Sequence, residues 1–301
     1  MSSSVSLREG RSMRTDRAWQ RWLISLISAV ALSFCLLLSP TCAASGSVLR
    51  VSDGRVISFG QMIREIRGAN FVFVGESHDS MRDHAIQLEI IQALHEADIP
   101  LAIGLEMFMT GSQKILDRWT SGRLGLDRFL DAYYDNWRLP WPLYRDIFLY
   151  AREHTIPMAA LNVPDEIIRK VSQRGFASLT PAEKSQLPQG ISCNVDPAYM
   201  DFIRKAYRRH AQDSSFLYFC EAQMVWDRSM AFHLEDYLNK NADRTVVVLA
   251  GIGHAWKRGI PEHLKKGSAG RSRVILPEVP GHVDKDIVSI ADADYIVLAE
   301  P

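Results

Sequence analysis

A carboxylate and two imidazoles follow one short apolar run of this chain. The run Phe71–Val74 has the composition of a buried strand, Glu76 and His78 come directly after it, and His84 lies in the helix-like segment that follows. In an α/β protein, ligands and reacting groups gather at the carboxyl ends of the strands. Glu76, His78 and His84 are therefore candidates for binding a metal or a metal-bearing cofactor, or for acid–base catalysis. The alternative is a capped turn with a solvated histidine.

The next apolar runs along the chain also end in polar residues. Glu106, Asn162 and His254 each follow a strand-like run or its terminal glycine turn. Because the carboxyl ends of parallel strands lie at one edge of a sheet, we expect these side chains to converge with Glu76 and His78. Two carboxylates and two imidazoles in one crevice could hold a divalent metal ion or share general acid–base duty.

Three more polar residues lie on the apolar stripes of predicted helices. His84 shares its spacing with Leu88, and Gln223 and Asp227 share a stripe with Met230. Polar groups on an apolar stripe must be paired or face a pocket. They are therefore added to the candidate crevice. The alternatives are a satisfied core histidine at position 84 and an ion pair between Asp227 and an arginine.

The composition limits the classes of function. The chain has 301 residues, of which 47% are hydrophobic, and 35 basic residues balance 35 acidic ones. A balanced charge argues against nucleic acid as the main partner, because phosphate binding requires a basic excess. The sequence also has no Gly-x-Ser-x-Gly elbow, no P-loop and no His-Glu-x-x-His motif, so the common hydrolase and nucleotide sites are not predicted.

Short apolar runs recur along the chain with helical patterns between them. Their continuous apolar character is typical of strands buried on both faces of a parallel sheet. The order predicts an α/β fold, with a mostly parallel sheet flanked by helices, in a domain of residues 45–301. A helical block at about residues 165–237 predicts a smaller inserted subdomain. The predicted strands are Phe71–Val74, Leu101–Leu105, Ile156–Leu161, Thr245–Ala250, Arg273–Leu276 and Tyr295–Leu298.

Residues 1–44 are different in kind. A basic segment, an apolar run and small residues near Ala43 form the pattern of a secretory signal. The alternative is a retained membrane anchor. Either predicts an exported protein, periplasmic or attached to an envelope membrane. Cys42 raises lipid anchoring as a further possibility, although the residues before it match a lipobox poorly.

Two cysteines remain beyond the signal, Cys193 and Cys220. In an exported chain they predict one disulfide, with two buried thiols as the alternative. A separate aromatic segment runs from Trp137 through Trp141 to Tyr144. It could wall a pocket for a flat hydrophobic ligand, and the alternative is that these rings belong to the core.

Taken together, these motifs resemble the ChaN-like haem-binding lipoproteins of the wider Tiki/TraB/erythromycin-esterase-like superfamily. The matching segments run in order across about two thirds of the chain, and their ordered set is more specific than any one of them. They are Val74–His78 with His84 and Gln87, Leu105–Phe108, Trp141–Tyr144, Leu161–Pro164, Cys220–Gln223 with Asp227 and Met230-Ala231, and Leu249–His254 before Gly259–Pro261.

The resemblance implies haem binding for iron uptake in the bacterial envelope. In the family, haem lies between two protomers, a tyrosine holds the iron, and a histidine and a lysine hold the propionates. Tyr144 is the first candidate for the iron ligand because it lies in a matched segment, followed by Tyr199 and Tyr207. His254 and Lys257 are the candidates for the propionates. The implied partners are haem, an outer-membrane haem receptor and a haem-linked second copy of the chain.

The wider superfamily implies a rival function. Its metalloprotease and esterase branches are similar at the Gly-x-x-His segment, which suggests a metal-dependent hydrolase. Glu76, His78, Glu106 and His254 would then hold a divalent metal ion or activate water. The strand-end carboxylates favour this rival, whereas the closer family match favours haem. A third possibility is an envelope scaffold in which the same residues are structural.

Overall fold

The structure is a computed structural model that describes residues 46–210 and 215–299. A mostly parallel sheet organises these residues. Eight strands lie in the order β2-β1-β8-β7-β3-β6-β4-β5 among these residues. The strands are β1 (Val48–Arg50), β2 (Arg55–Ile57), β3 (Phe71–Glu76), β4 (Leu101–Met109), β5 (Met158–Asn162), β6 (Thr245–Gly251), β7 (Ser272–Pro277) and β8 (Tyr295–Val297).

The six strands from β8 to β5 are parallel, and β1 is antiparallel to both of its neighbours. β3 lies inside the sheet, with β7 on one side and β6 on the other. In its register with β6, Glu76 stands opposite Gly251. On the far side of β6, Leu105 of β4 pairs with Leu249. The carboxyl ends of β3, β6 and β4 therefore meet at one edge, as the sequence predicted.

Helices cover both faces of the sheet. The alternation of side chains along each strand divides the core, because neighbouring residues point to opposite faces. Val72 and Val74 pack in a cluster with α1 to α5, whereas Phe71 and Phe73 pack with α9 and α10. The helices are α1 (Phe59–Ile66), α2 (Met81–His95), α3 (Gln113–Thr120), α4 (Leu126–Asn136), α5 (Trp141–Glu153), α6 (Asp165–Arg174), α7 (Pro181–Lys184), α8 (Pro197–His210), α9 (Phe216–Lys240), α10 (Ile252–Ala255) and α11 (Lys266–Ala269).

The predicted α/β fold and all six predicted strands are confirmed, with bounds that shift by a few residues at the ends. The hairpin of β1 and β2 was not predicted. Each of its strands has three residues, and Arg55 and Val56 are exposed, so no continuous apolar run marks it. The helices α6 to α9 occupy the block predicted as a subdomain, and residues 46–301 cluster into one unit.

The predicted signal or anchor, residues 1–44, and Cys42 within it lie outside the described residues. Within the described ranges, no helix is both long enough and apolar enough to cross a bilayer.

A disulfide joins Cys193, in the segment between α7 and α8, to Cys220 on α9, as the sequence predicted. The Cα atoms are 5.7 Å apart, which is ordinary for a disulfide. The bond therefore fixes this segment to the helix that carries Asp227.

We expect Cys193→Ala to lower the free energy of unfolding by roughly 3 kcal/mol in the chain-entropy model, because the bond closes a loop with a sequence separation of 27. Chemical denaturation measures the change. A reductant should lower the stability of the wild type by a similar amount and leave the variant unchanged. A wild type that is indifferent to reductant would contradict the disulfide.

Candidate functional site

Glu76 is the centre of a buried hydrogen-bond network at the carboxyl end of β3. Its Oε1 accepts a hydrogen bond from Nδ1 of His78 at 2.8 Å and another from the hydroxyl of Tyr144. Its Oε2 accepts one from Nε2 of Gln87 at 2.7 Å, and Nε2 of His84 lies 3.4 Å from the same oxygen. Four side chains from three segments therefore surround one carboxylate.

The start of α2 positions the donors that reach Glu76 from that helix. Ser80 caps the helix, since its Oγ accepts a hydrogen bond from the backbone N–H of Asp83. The carboxylate of Asp83 accepts one from the backbone N–H of Ser77 at 2.9 Å, which fixes the loop between β3 and α2. His84 and Gln87 are three residues apart, so both project from the same face of α2.

The network keeps Glu76 charged. Burial alone would raise the pKa of this carboxyl group, but the hydrogen bond from His78 and the nearby imidazole of His84 outweigh it and lower the pKa to about 2. Burial alone would lower the pKa of His78, but the hydrogen bond to Glu76 and the charge of Glu106 raise it. The side chain of His78 is 40% exposed, so the fixed imidazole is accessible from solvent.

A second network surrounds Asp227 on α9, which is fully buried. Its Oδ1 accepts a hydrogen bond from Nδ1 of His254 at 2.6 Å, and its Oδ2 accepts one from the hydroxyl of Tyr199. Nε2 of His254 lies 3.8 Å from Oε1 of Glu106. Burial alone would lower the pKa of His254, but the charges of Glu106 and Asp227 raise it to about 9. His254 is therefore an imidazolium between two carboxylates at neutral pH.

The two networks meet at Gly251, the last residue of β6. Its backbone N–H donates a hydrogen bond to Oε2 of Glu106 at 2.7 Å. A Cβ atom at position 251 would lie 2.8 Å from Cε1 of His78, so the close approach of the imidazole requires glycine. Asn162 holds the other side of Glu106, because its Nδ2 donates to the Glu106 carbonyl at 2.8 Å. The predicted convergence at the sheet edge is therefore observed.

Gln223, also predicted for the crevice, forms no hydrogen bond to either network in the part of the chain that the structure describes. It lies one turn before Asp227 on α9 and is half-buried. Among the described residues, Asp227 forms no ion pair with an arginine, and its carboxylate oxygens accept hydrogen bonds from Tyr199 and His254 instead. His84 is buried, as its spacing predicted.

The predicted metal site does not fit this geometry. Nδ1 of His78 faces Glu76, Nδ1 of His254 faces Asp227, and Glu106 accepts a backbone N–H. Among the described residues, no group of three or more histidine, cysteine or acidic side chains has an arrangement that could hold a metal ion. Glu76 is therefore paired with His78, His254 with Asp227, and Glu106 with the backbone of Gly251, so the four predicted residues do not form a ligand set.

The tyrosines predicted as haem ligands occupy different environments. Tyr144 and Tyr199 are both at most 1% exposed, and their hydroxyls donate to Glu76 and Asp227. Neither hydroxyl is therefore presented to a ligand at the surface. Tyr207 on α8 is half-buried, and its ring packs edge-on against Phe216.

The two residues predicted to hold haem propionates already have hydrogen-bond partners within the protein. His254 belongs to the Asp227 network. Nζ of Lys257 donates to Oδ1 of Asp294 at 2.7 Å and to the carbonyl oxygen of Ile290 at 2.9 Å. Lys257 remains partly exposed, with 25% of its side chain accessible.

Sequence reasoning missed the true partners of the two carboxylates. Tyr144 and Tyr199 were noticed as tyrosines, but nothing in a single sequence shows that they end at Glu76 and Asp227. The aromatic segment has a divided role: Trp141 is core, whereas Trp137 packs edge-on against His78 with ring centroids 5.1 Å apart. Trp137 therefore borders the crevice.

An apolar groove lies on another part of the surface, between α8, α10 and the segment after β7. It has a volume of 260 Å³. Two aromatic rings form much of it, since Phe202 packs edge-on against Trp256 with centroids 5.3 Å apart. Its other apolar residues include Ile252, Leu276, Val283, Ile287 and Val288. Arg258 and His282 also line it and supply polar groups.

We expect the free energy of unfolding to fall by up to about 3 kcal/mol as the pH rises from 6.5 to about 9. The raised pKa of His254 means that the folded protein holds this proton more tightly than the unfolded chain. The stability is fully present below pH 6.5 and is lost as the pH passes through the folded pKa. Denaturation at several pH values measures it, and His254→Gln should flatten the profile. An imidazole of His254 that titrates near 6.5 by NMR would contradict the expectation.

Comparison with known proteins identifies the family. A family model described as haem-binding uptake, Tiki superfamily, ChaN matches residues 62–264. The solved structure of ChaN of Campylobacter jejuni, described as showing cofacial heme binding, is 22% identical, covers 84% of this chain and 96% of its own, and has a TM-score of 0.66.

More distant structures include the type III effector HopBA1, 13% identical over 79% of this chain and 91% of its own, with a TM-score of 0.48. The erythromycin esterase EreC is 14% identical over 77% of this chain and 76% of its own, also with a TM-score of 0.48. No curated protein sequence matches. Because the family model matches more than half of the chain, the protein belongs to the ChaN family of haem-binding uptake proteins in the Tiki superfamily.

Proposed function

We propose that this protein binds haem and handles it for iron uptake in the bacterial envelope. The observation that carries the proposal is the match of the ChaN family model over residues 62–264. That range includes both carboxylate networks and the aromatic residues Phe202 and Trp256 of the apolar groove. Haem is the ligand class that the family description names, and the fold agrees with that of a ChaN structure.

The apolar groove is the surface that best suits a porphyrin. Its aromatic and aliphatic walls suit a flat hydrophobic ring. Its volume of 260 Å³ is slightly below the range of about 300–1,000 Å³ that is usual for small-molecule sites. One chain would therefore cover only part of a haem, which supports a haem-linked second copy of the chain.

Tyr207 is our candidate for the iron ligand. Tyrosine is an established axial ligand of haem iron. The side chains of Tyr144 and Tyr199 are at most 1% exposed, whereas Tyr207 is half-buried. It also lies on α8, the helix that contributes Phe202 to the groove.

Export of the protein belongs to the same proposal. The basic and apolar pattern of residues 1–44 supports secretion, and the cysteines at 193 and 220 form a disulfide, which persists in oxidising compartments. A periplasmic or membrane-attached haem carrier would receive its cargo at the envelope, where an outer-membrane haem receptor is a suitable donor.

Hemin added to the purified protein should give a saturable shift of the Soret band. We expect Ile287→Asp to weaken the affinity at least tenfold, or about 1.4 kcal/mol, because it places a charge in the apolar groove. Ile287 is 75% exposed, so the substitution should not unfold the protein. The matched control is Ile290→Asp, at an exposed isoleucine outside the groove lining. Equal losses in both variants would contradict the groove, and a flat wild-type titration would contradict haem binding.

The same titration examines the iron ligand. Tyr207→Phe should shift the Soret maximum of the bound haem, because the phenolate ligand is lost. Tyr134→Phe, at a 49% exposed tyrosine on α4, is the control and should leave the spectrum unchanged. Sedimentation of the same samples reports whether haem binding is accompanied by dimerisation.

A second candidate function is hydrolysis at the crevice. The observation that favours it is the arrangement of two carboxylate–imidazole pairs around Glu106, with His78 accessible to solvent. An imidazole oriented by a carboxylate can act as a general base toward water or a substrate hydroxyl. Glu106 and the imidazolium of His254 would stabilise charge that develops nearby.

If the crevice is hydrolytic, the protein should cleave esters in a chromogenic panel without added metal. We expect His78→Gln to reduce kcat at least a hundredfold, within the range usual for loss of a general base, while hemin affinity stays unchanged. Ile290→Asp serves again as the surface control. Activity that survives in His78→Gln would contradict the role of this imidazole.

A further inference from the structure

A cavity of 740 Å³ lies beside α9 and the 3-10 helix Ile260–His263. Its size is within the range that is usual for small-molecule sites. The basic side chains on its wall are Arg228, Lys257, Arg258 and Arg273, and the acidic ones are Asp196, Glu262 and Asp294. A second cavity of 470 Å³ shares Arg228, Glu262 and His263 with the first.

Two of the basic side chains are already neutralised. Nζ of Lys257 lies 2.7 Å from Oδ1 of Asp294. Arg258 forms ion pairs with Asp196 at 2.5 Å and with Asp292 at 3.1 Å. The paired cations and anions therefore cancel over that part of the wall, and any excess charge must come from the remaining side chains.

Arg228 has no such partner. Its Nε atom is buried without a hydrogen-bond partner among the described residues, although the side chain as a whole is half-buried. Nε2 of His263, which lines the same two cavities, is also buried without a hydrogen-bond partner among those residues. Arg273 donates to the backbone carbonyl of Ser272 and has no acidic partner in the described ranges.

Removing an unpaired cation from water, even in part, costs free energy unless an anion pairs with it. The fork of N–H donors on a guanidinium matches the geometry of a carboxylate or a phosphate, to which it can donate two parallel hydrogen bonds. A neutral or protonated imidazole can donate a third. We propose that Arg228 and His263 bind a carboxylate or phosphate group of a small-molecule ligand in the 740 Å³ cavity.

The anion has two possible sources, a haem propionate or a free small anion, and the proposal does not depend on haem binding. Inorganic phosphate and citrate represent the free anion. Hemin and hemin dimethyl ester represent the propionate, because esterification removes the negative charge while keeping the ring. Sodium chloride at matched ionic strength controls for screening of surface charges.

Calorimetric titration of the full-length protein tests the site. We expect phosphate or citrate to bind the wild type, and Arg228→Gln to weaken that binding at least tenfold. Arg145→Gln removes a positive charge from an exposed arginine on α5, paired with Asp146 at 2.8 Å, and should change nothing. If the propionate is the source, Arg228→Gln should weaken hemin binding and leave the dimethyl ester unaffected.

The proposal is overturned if Arg228→Gln binds phosphate, citrate and hemin as tightly as the wild type does, or if none of these probes binds the wild type. Phosphate binding through Arg228 beside a flat hemin titration would support the anion site and contradict haem binding, so the two can fail separately. If Arg228 is merely structural, Arg228→Met should lower the melting temperature by the same amount with and without phosphate. We expect instead that phosphate raises the melting temperature of the wild type and not that of the variant. A decrease of the same size under both conditions would overturn the site.

Discussion

The buried negative charge of Glu76 is the constraint on which the arrangement of the crevice depends. A desolvated carboxylate costs several kcal/mol unless hydrogen-bond donors surround it. Here the donors come from the loop after β3, from α2 and from α5, through His78, Gln87 and Tyr144. Because no single element supplies them all, satisfying the charge requires these elements to pack in one specific way. The polar ends of Gln87 and Tyr144 in an otherwise apolar core are explained by this requirement.

Asp227 has the same role for the other half of the site. Its two oxygens connect α8, through Tyr199, to α10, through His254. The Glu76 and Asp227 networks then share the small space around Gly251, where the backbone binds Glu106 and the imidazole of His78 approaches closely. The side chains of the crevice are thus held in fixed orientations before any ligand binds. This preorganisation suits either catalysis or a rigid structural junction.

The polar residues at the strand ends could be predicted from the sequence, whereas the side chains that hydrogen-bond to them could not. Continuous apolar runs identify buried strands, and parallel pairing then places Glu76, Glu106 and His254 at one edge. The hydroxyl of Tyr144 reaches Glu76 from 68 residues away in the sequence, and no periodicity in either segment encodes that contact. The family resemblance suggested haem ligation for Tyr144, which lies in a matched segment, and then for Tyr199, but a single sequence does not show which hydroxyls tertiary packing will bury. The short β1–β2 hairpin was not predicted either, because its exposed residues form no continuous apolar run.

The geometry of α9 separates the paired charge of Asp227 from the charge of Arg228. Asp227 and Arg228 are adjacent on α9, and successive residues of a helix point about 100° apart. Asp227 therefore faces the crevice, where its charge is matched by His254, while Arg228 faces the two cavities. Because the two side chains point in different directions, the carboxylate that pairs with His254 does not neutralise the neighbouring arginine. One helix thus presents a carboxylate to the crevice and a guanidinium to the cavities, where it is available to an external anion.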